Sequence, residues 1–122
     1  MAVSVTNQSS PLGSKIVQDT SATSTAVDNT TGASGTLYMV EIVNTGGGSG
    51  DVYFKLADTT NATAGTTAAD MVLFCPASSR RTYVFPEGIA FSSGFSHWCV
   101  KTAAESSTTA PDATVIARYV TS

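Results

Sequence analysis

Short runs of β-branched and aromatic residues, separated by polar Gly/Ser/Thr/Asn stretches, govern what this chain can fold into. No window of about 11 residues or more carries an apolar stripe at helical spacing. The nearest, Asn61–Asp70, is broken by Thr and Gly and reads as a loop. Strands are predicted near Val3–Thr6, Lys15–Asp19, Thr36–Asn44, Asp51–Asp58, Met71–Cys75, Arg81–Phe85, Ile89–Phe91, Phe95–Lys101 and Ala113–Val120. Eight or nine short strands in 122 residues predict an all-β fold, an antiparallel, jelly-roll-like β-sandwich. A closed barrel fits less well, because the loops Thr59–Asp70 and Thr102–Asp112 suit crossovers between two sheets.

One pairing can be argued in register. Thr36–Asn44 alternates Tyr38, Val40 and Ile42 on one face with Leu37, Met39, Glu41 and Val43 on the other. Asp51–Asp58 alternates Val52, Phe54 and Leu56 with Tyr53, Lys55 and Ala57. The Gly-rich link Thr45–Gly50 allows a hairpin with Glu41 opposite Lys55, Ile42 opposite Phe54 and Val40 opposite Leu56. The remaining outer face (Leu37, Met39, Val43, Tyr53) is apolar enough to need a cover from the same chain or a neighbour.

The leading residues differ from the rest. Residues 1–35 hold few large apolar side chains and read as an extended Ser/Thr-rich arm, with residues 36–122 forming the sandwich. Ordering such a segment costs roughly 1–2 kcal/mol per residue in backbone entropy, and little apolar burial offsets it. Its order is expected to come from strand addition to a sheet edge, in its own fold or in a partner's.

Composition narrows the function. Only 12% of residues are charged, Ser and Thr supply 35 residues, and the net charge is −3. An acidic, weakly charged chain is a poor nucleic-acid binder. No apolar stretch is long enough for a membrane-spanning helix, and Met1-Ala2-Val3-Ser4 has no basic-plus-apolar signal pattern. Two Cys and one His exclude a disulfide scaffold and disfavour a closed zinc site.

The motifs with chemical potential have bland readings. His97 and Cys99 flank Trp98 on a predicted strand, so their side chains share a face about 7 Å apart at Cα, too far for a direct nucleophile–base pair. Cys99 is expected to pack and His97 to be partly exposed or hydrogen-bonded. A Cys75–Cys99 bridge requires neighbouring strands, and assembly inside a cell would leave both thiols reduced. No G-x-S-x-G elbow supports a Ser-His-Asp triad. Gly46–Gly50 lacks the Lys-Ser/Thr ending of a phosphate loop, and Asp58, Asn61 and Asp70 do not follow the spacing of a calcium loop. No enzyme activity and no cofactor are expected.

The stretch from Thr36 to the C-terminus, about two thirds of the chain, resembles small virion proteins of tailed phages of marine cyanobacteria. The likeness rests on Gly65-Thr66-Thr67-Ala68-Ala69-Asp70, on Arg81-Thr82-Tyr83-Val84-Phe85-Pro86-Glu87-Gly88-Ile89-Ala90-Phe91-Ser92-Ser93-Gly94, and on Thr108-Thr109-Ala110-Pro111 before a last strand. The resemblance implies a β-sandwich that is a repeated part of the virion, assembled in the host cytoplasm. The expected role is a head decoration (cement) protein that binds and stabilises the assembled capsid. Its partner would be the major capsid protein or another virion structural protein, and a homo-oligomer, by resemblance a trimer, is expected. The expected contacts are Val3, Val5, Leu12, Ile16 and Val17 as apolar anchors in a reaching segment Ala2–Ala33, with Arg80 and Arg81 as polar contacts. The alternative is a tail, fibre or head-surface module that binds a host glycan through Trp98, Tyr38, Tyr53 and Tyr83.

Overall fold

Eight strands form two antiparallel sheets in the computed structural model, which describes residues 2–7 and 13–122. In chain order they are β1 (Val3–Asn7), β2 (Lys15–Asp19), β3 (Gly35–Asn44), β4 (Val52–Asp58), β5 (Met71–Cys75), β6 (Ser79–Phe91), β7 (Phe95–Val100) and β8 (Ile116–Thr121). The larger sheet has the order β1-β2-β8-β3-β6 and the smaller β5-β4-β7. Each predicted run falls on a strand, though β8 starts three residues later than the run Ala113–Val120, and Asp51 and Lys101 lie just outside β4 and β7; Arg81–Phe85 and Ile89–Phe91 are two parts of the single long β6.

The segment after β2 completes the smaller sheet without being a regular strand. Val27 and His97 exchange both backbone hydrogen bonds, Cys99 N–H donates to Thr23 O, and Thr30 N–H donates to Phe95 O. With that segment counted beside β7, two rows of four face each other in the order of a jelly roll, and β1 extends one edge. The fold is an all-β sandwich.

Strand alternation fills its middle. Val17 of β2, Val40 and Ile42 of β3, Phe54 and Leu56 of β4 and Tyr119 of β8 share one buried cluster. A second, smaller cluster lies on the outer face of the smaller sheet. There Ala57, Trp98 and Val100 are covered by Ala26, Ala62, Ala64 and Ala69. The loop at residues 59–70 supplies most of that cover. It joins β4 to the adjacent β5, so it does not cross between sheets as expected. The connection from β7 to β8 does cross.

The expected β3–β4 hairpin is not formed. β3 lies between β8 and β6, and β4 lies between β5 and β7, so the Gly-rich link carries the chain from one sheet to the other. Ile42 and Phe54 still share the core, but from opposite sheets. Glu41 sits opposite Arg118 and accepts its guanidinium at 2.8 Å. Lys55 is buried on the outer face of the smaller sheet, with Nζ donating to Ala104 O at 2.7 Å. A distant partner satisfied each charge better than the local pairing would have. Leu37 was also expected outside. A bulge between Leu37 and Met39 shifts the alternation and turns Leu37 inward, leaving Met39 and Val43 on the outer face.

The division into an arm (1–35) and a sandwich (36–122) does not describe the packing. β2 is an inner strand of the larger sheet, paired with β1 on one side and β8 on the other. Val17 is wholly buried, so Val17→Ala should cost about 2 kcal/mol in urea unfolding of the purified chain. A free arm would leave the unfolding midpoint unchanged.

Candidate functional site

The chemistry of this chain concentrates where β2, β7 and β8 face one another. In β7 every residue is buried, and alternation turns Phe95, His97 and Cys99 to the sandwich interior and Trp98 and Val100 to the outer cluster. The same rule puts Val17 and Asp19 of β2 on one face, and Ala117 and Tyr119 of β8 likewise. The lone histidine therefore enters the interior from the smaller sheet. A carboxylate and a phenol meet it from the larger one.

The result is a linear hydrogen-bonded network across the sandwich. His97 Nε2 lies 2.8 Å from Asp19 Oδ2, and Nδ1 lies 2.9 Å from the Tyr119 hydroxyl. The Tyr119 hydroxyl is hydrogen-bonded in turn to Thr30 Oγ1, which reaches Phe95 O at 2.9 Å. Ser21 N–H donates to the other oxygen of Asp19. His97 and Tyr119 are 0% exposed and Asp19 is 3% exposed. Phe54 packs 5.2 Å from the imidazole and 6.2 Å from the phenol, ring centre to ring centre.

The donors and acceptors balance in two ways. With a neutral imidazole, Nε2–H donates to Asp19, the Tyr119 hydroxyl donates to Nδ1, and Thr30 donates to the Tyr119 oxygen. With an imidazolium, both ring N–H groups donate, Tyr119 donates to Thr30, and Thr30 donates to Phe95 O. Turning two hydroxyls converts one pattern into the other, and neither strands a buried polar atom. Burial alone would raise the Asp19 carboxyl. The hydrogen bonds from His97 and Ser21 N–H outweigh it and hold the carboxyl below its ordinary range.

This network does not present a catalytic group. Both imidazole nitrogens are occupied, and the terminal hydroxyl, Thr30, spends its one O–H within the network or on Phe95 O. A cleft of about 430 Å³ adjoins the carboxylate end of the network: it is lined by Asp19, Ser21, Thr23, Thr25 and Asp28, with Ala2, Val3, Ala26 and Val27, and His97 is not part of its lining. Cys99 is buried, and burial pushes its thiol up to about 12, so it stays protonated. Cys75 and Cys99 are both free. β4 lies between their strands, which separates them by roughly two strand spacings.

The loop acids have structural partners. Asp58 accepts the N–H groups of Ser92, Ser93 and Gly94 and fixes the β6–β7 turn, and Asp70 accepts Asp58 N–H. Asp28 accepts Ala62 N–H and ties the leading segment to the 59–70 loop. Among the described residues no group of three or more His, Cys, Asp or Glu is placed to hold a metal ion.

The expected contact residues fall at opposite edges of the larger sheet. Val3 is half-buried against the core, Val5 on β1 is 47% exposed, and Ile16 is half-buried. Val17 is 0% exposed and cannot touch a partner: it pairs directly with Val5 and shares its face, but it sits one strand further in, where the core covers it. Leu12 lies outside the described residues. Arg80 and Arg81 are exposed on β6, and the Arg81 guanidinium stands 6.0 Å from the Phe74 ring centre. Four strand spacings, roughly 19 Å, separate β1 from β6. Trp98 is 1% exposed beneath alanines and offers no face to a sugar ring. His97, expected to be partly exposed or hydrogen-bonded, is wholly buried and hydrogen-bonded at both nitrogens.

No protein-family model, curated protein or solved structure matches this chain.

The depressed Asp19 carboxyl has a pH consequence. Its contribution to stability is complete above the ordinary carboxyl range, about pH 4, and is lost as the pH falls further. Asp19→Asn should lower stability at neutral pH by about 2 kcal/mol and flatten the loss between about pH 5 and pH 3. Urea midpoints of both proteins across that range check this. Parallel curves would show that the carboxylate's charge does not matter.

Proposed function

We propose that this chain is a non-enzymatic structural protein of a tailed-phage virion, a head decoration protein that binds the assembled capsid and stabilises it. The observation that carries this reading is the unpaired outer edge of β1. Among the described residues β1 bonds to β2 on one side only and its other side has no strand partner, and Val5 stands 47% exposed on it. Val3, on the same face as Val5, lies half-buried against the core, and Ile16 lies half-buried on the opposite face of β2. Such an edge receives a strand or docks into a groove on the major capsid protein or another virion protein. The sealed state of the His97 network favours binding over catalysis. The jelly-roll architecture recurs in viral capsid and lectin domains, which supports the reading by analogy of fold, as does the resemblance of residues 36–122 to phage virion proteins.

The mechanism is linkage. A protein that binds only the assembled lattice stabilises that lattice by mass action, and many copies on one particle add weak contacts into a large effect. The leading residues contribute a docking edge, not a long reaching arm, because β2 and residues 13–31 are part of the sandwich.

The experiment mixes the purified chain with undecorated heads, sediments the heads, and measures bound copies. The wild type should saturate them. Val5→Asp should bind about tenfold more weakly with an unchanged unfolding midpoint. Failure of the wild type to sediment with heads would overturn the assignment.

A further inference from the structure

Charge satisfaction singles out one surface. Among the described residues, all but four charged side chains make a hydrogen bond within the chain, and the four are Arg80, Arg81, Glu87 and Glu105. Three of these lie on β6, the opposite edge of the larger sheet from β1. Two of the four exposed large hydrophobic residues lie there too, Val84 at 56% and Ile89 at 36%. A third, Val72 at 44%, is on β5, the edge of the smaller sheet that packs beside β6.

The order of these groups along the strand carries the argument. Cations stand at residues 80 and 81, an apolar residue at 84 and an anion at 87. Alternation sets Arg80 and Val84 together on the outward face of β6, opposite Val43 and Met39, and turns Arg81 toward Phe74 of β5, while Glu87 stands exposed in the 85–88 segment. A patch that is positive at one end, apolar in the middle and negative at the other is complementary to itself under a two-fold rotation. We propose that the β6 edge is a homotypic contact in which a second copy of this chain packs about a two-fold axis near Val84. Arg80 of each copy then faces Glu87 of the other.

The shape of β6 favours side-chain contact over strand addition. Val84 pairs with Met39 and Ile89 pairs with Leu37, so residues 85–88 bulge out of the ladder opposite Tyr38. Gly88, at φ +77°, lets this bulge lie on the sheet; a Cβ there would come within 2.2 Å of Thr36 Cγ2. Pro86 has no N–H and breaks any continuous ladder with a neighbour. Residues Val84–Gly88 frame a shallow hollow of about 450 Å³ that receives an apolar side chain from the second copy. The patch is small beside the roughly 1,200 Å² of a stable interface, so the contact is weak and concentration-dependent. This inference does not rest on the virion assignment, because it requires no capsid.

Sedimentation equilibrium over a concentration series tests it. The wild type should show a monomer–dimer equilibrium. Arg80→Glu, and separately Glu87→Arg, should each weaken dimerisation about tenfold, and the two changes together should restore it. The positions are exposed, so unchanged urea midpoints confirm intact folds. A wild type that stays monomeric at millimolar concentration, a trimer as the end state, insensitivity to the reversals, or failure of the combined variant to recover would each overturn the proposal.

Discussion

The hydrogen-bonded network centred on His97 is the interaction on which the rest of this structure depends. It joins β7 of the smaller sheet to β2 and β8 of the larger one, and through Thr30 it includes the irregular segment between β2 and β3. Polar groups this deep are costly unless all are partnered. Here each atom of the network has a partner, and rings of Phe54, Phe95 and Tyr119 close around it. A buried pair of this kind adds little net stability relative to an apolar replacement, but losing one partner is expensive. Its effect is therefore to fix geometry. This placement of the leading segment satisfies Asp19, Thr30 and His97 together.

That constraint explains how a segment poor in apolar residues is ordered. Residues 20–31 bury little hydrocarbon. They are held by backbone bonds to β7, by Lys15 Nζ donating to Thr31 O, by Asn29 N–H donating to Ser96 Oγ and by the Asp28–Ala62 link. The segment occupies the position of a jelly-roll strand without the sequence of one. It covers the β7 edge of the smaller sheet, and among the described residues β1 and β6 remain the open edges of the larger one. The two functional proposals use those edges separately, one for a foreign partner and one for a second copy.

Much of the fold was legible because alternation and turn residues are local signals. β2 and β5 fall where the runs Lys15–Asp19 and Met71–Cys75 place them, and no helix competes. Pairing was not legible, because it depends on residues far apart in the chain. Glu41 found Arg118 instead of Lys55, and nothing near either residue announces that choice. The bulge at Leu37 was hidden for the same reason, since it arises from two different neighbours on either side of β3. The network left a trace: Val17-Gln18-Asp19 sets a carboxylate on the face of an apolar residue, and the sole histidine sits within Phe95-Ser96-His97-Trp98-Cys99. What that trace lacked was the third dimension, which brings β2 against β7. The expected anchors illustrate both outcomes. Val5 is exposed as a contact residue must be, and Val17, its direct partner one strand further into the sheet, is core.

The central claim is that the leading third is structurally part of the sandwich through its polar anchoring to β7 and β8. Residue-resolved hydrogen exchange on the isolated chain in dilute solution tests this most directly. The account predicts that the amides of Val27, Thr30 and Cys99 exchange as slowly as those in the middle of β4, opening only with the whole domain. Exchange of Val27 and Thr30 within seconds, while β4 stays protected, would contradict it.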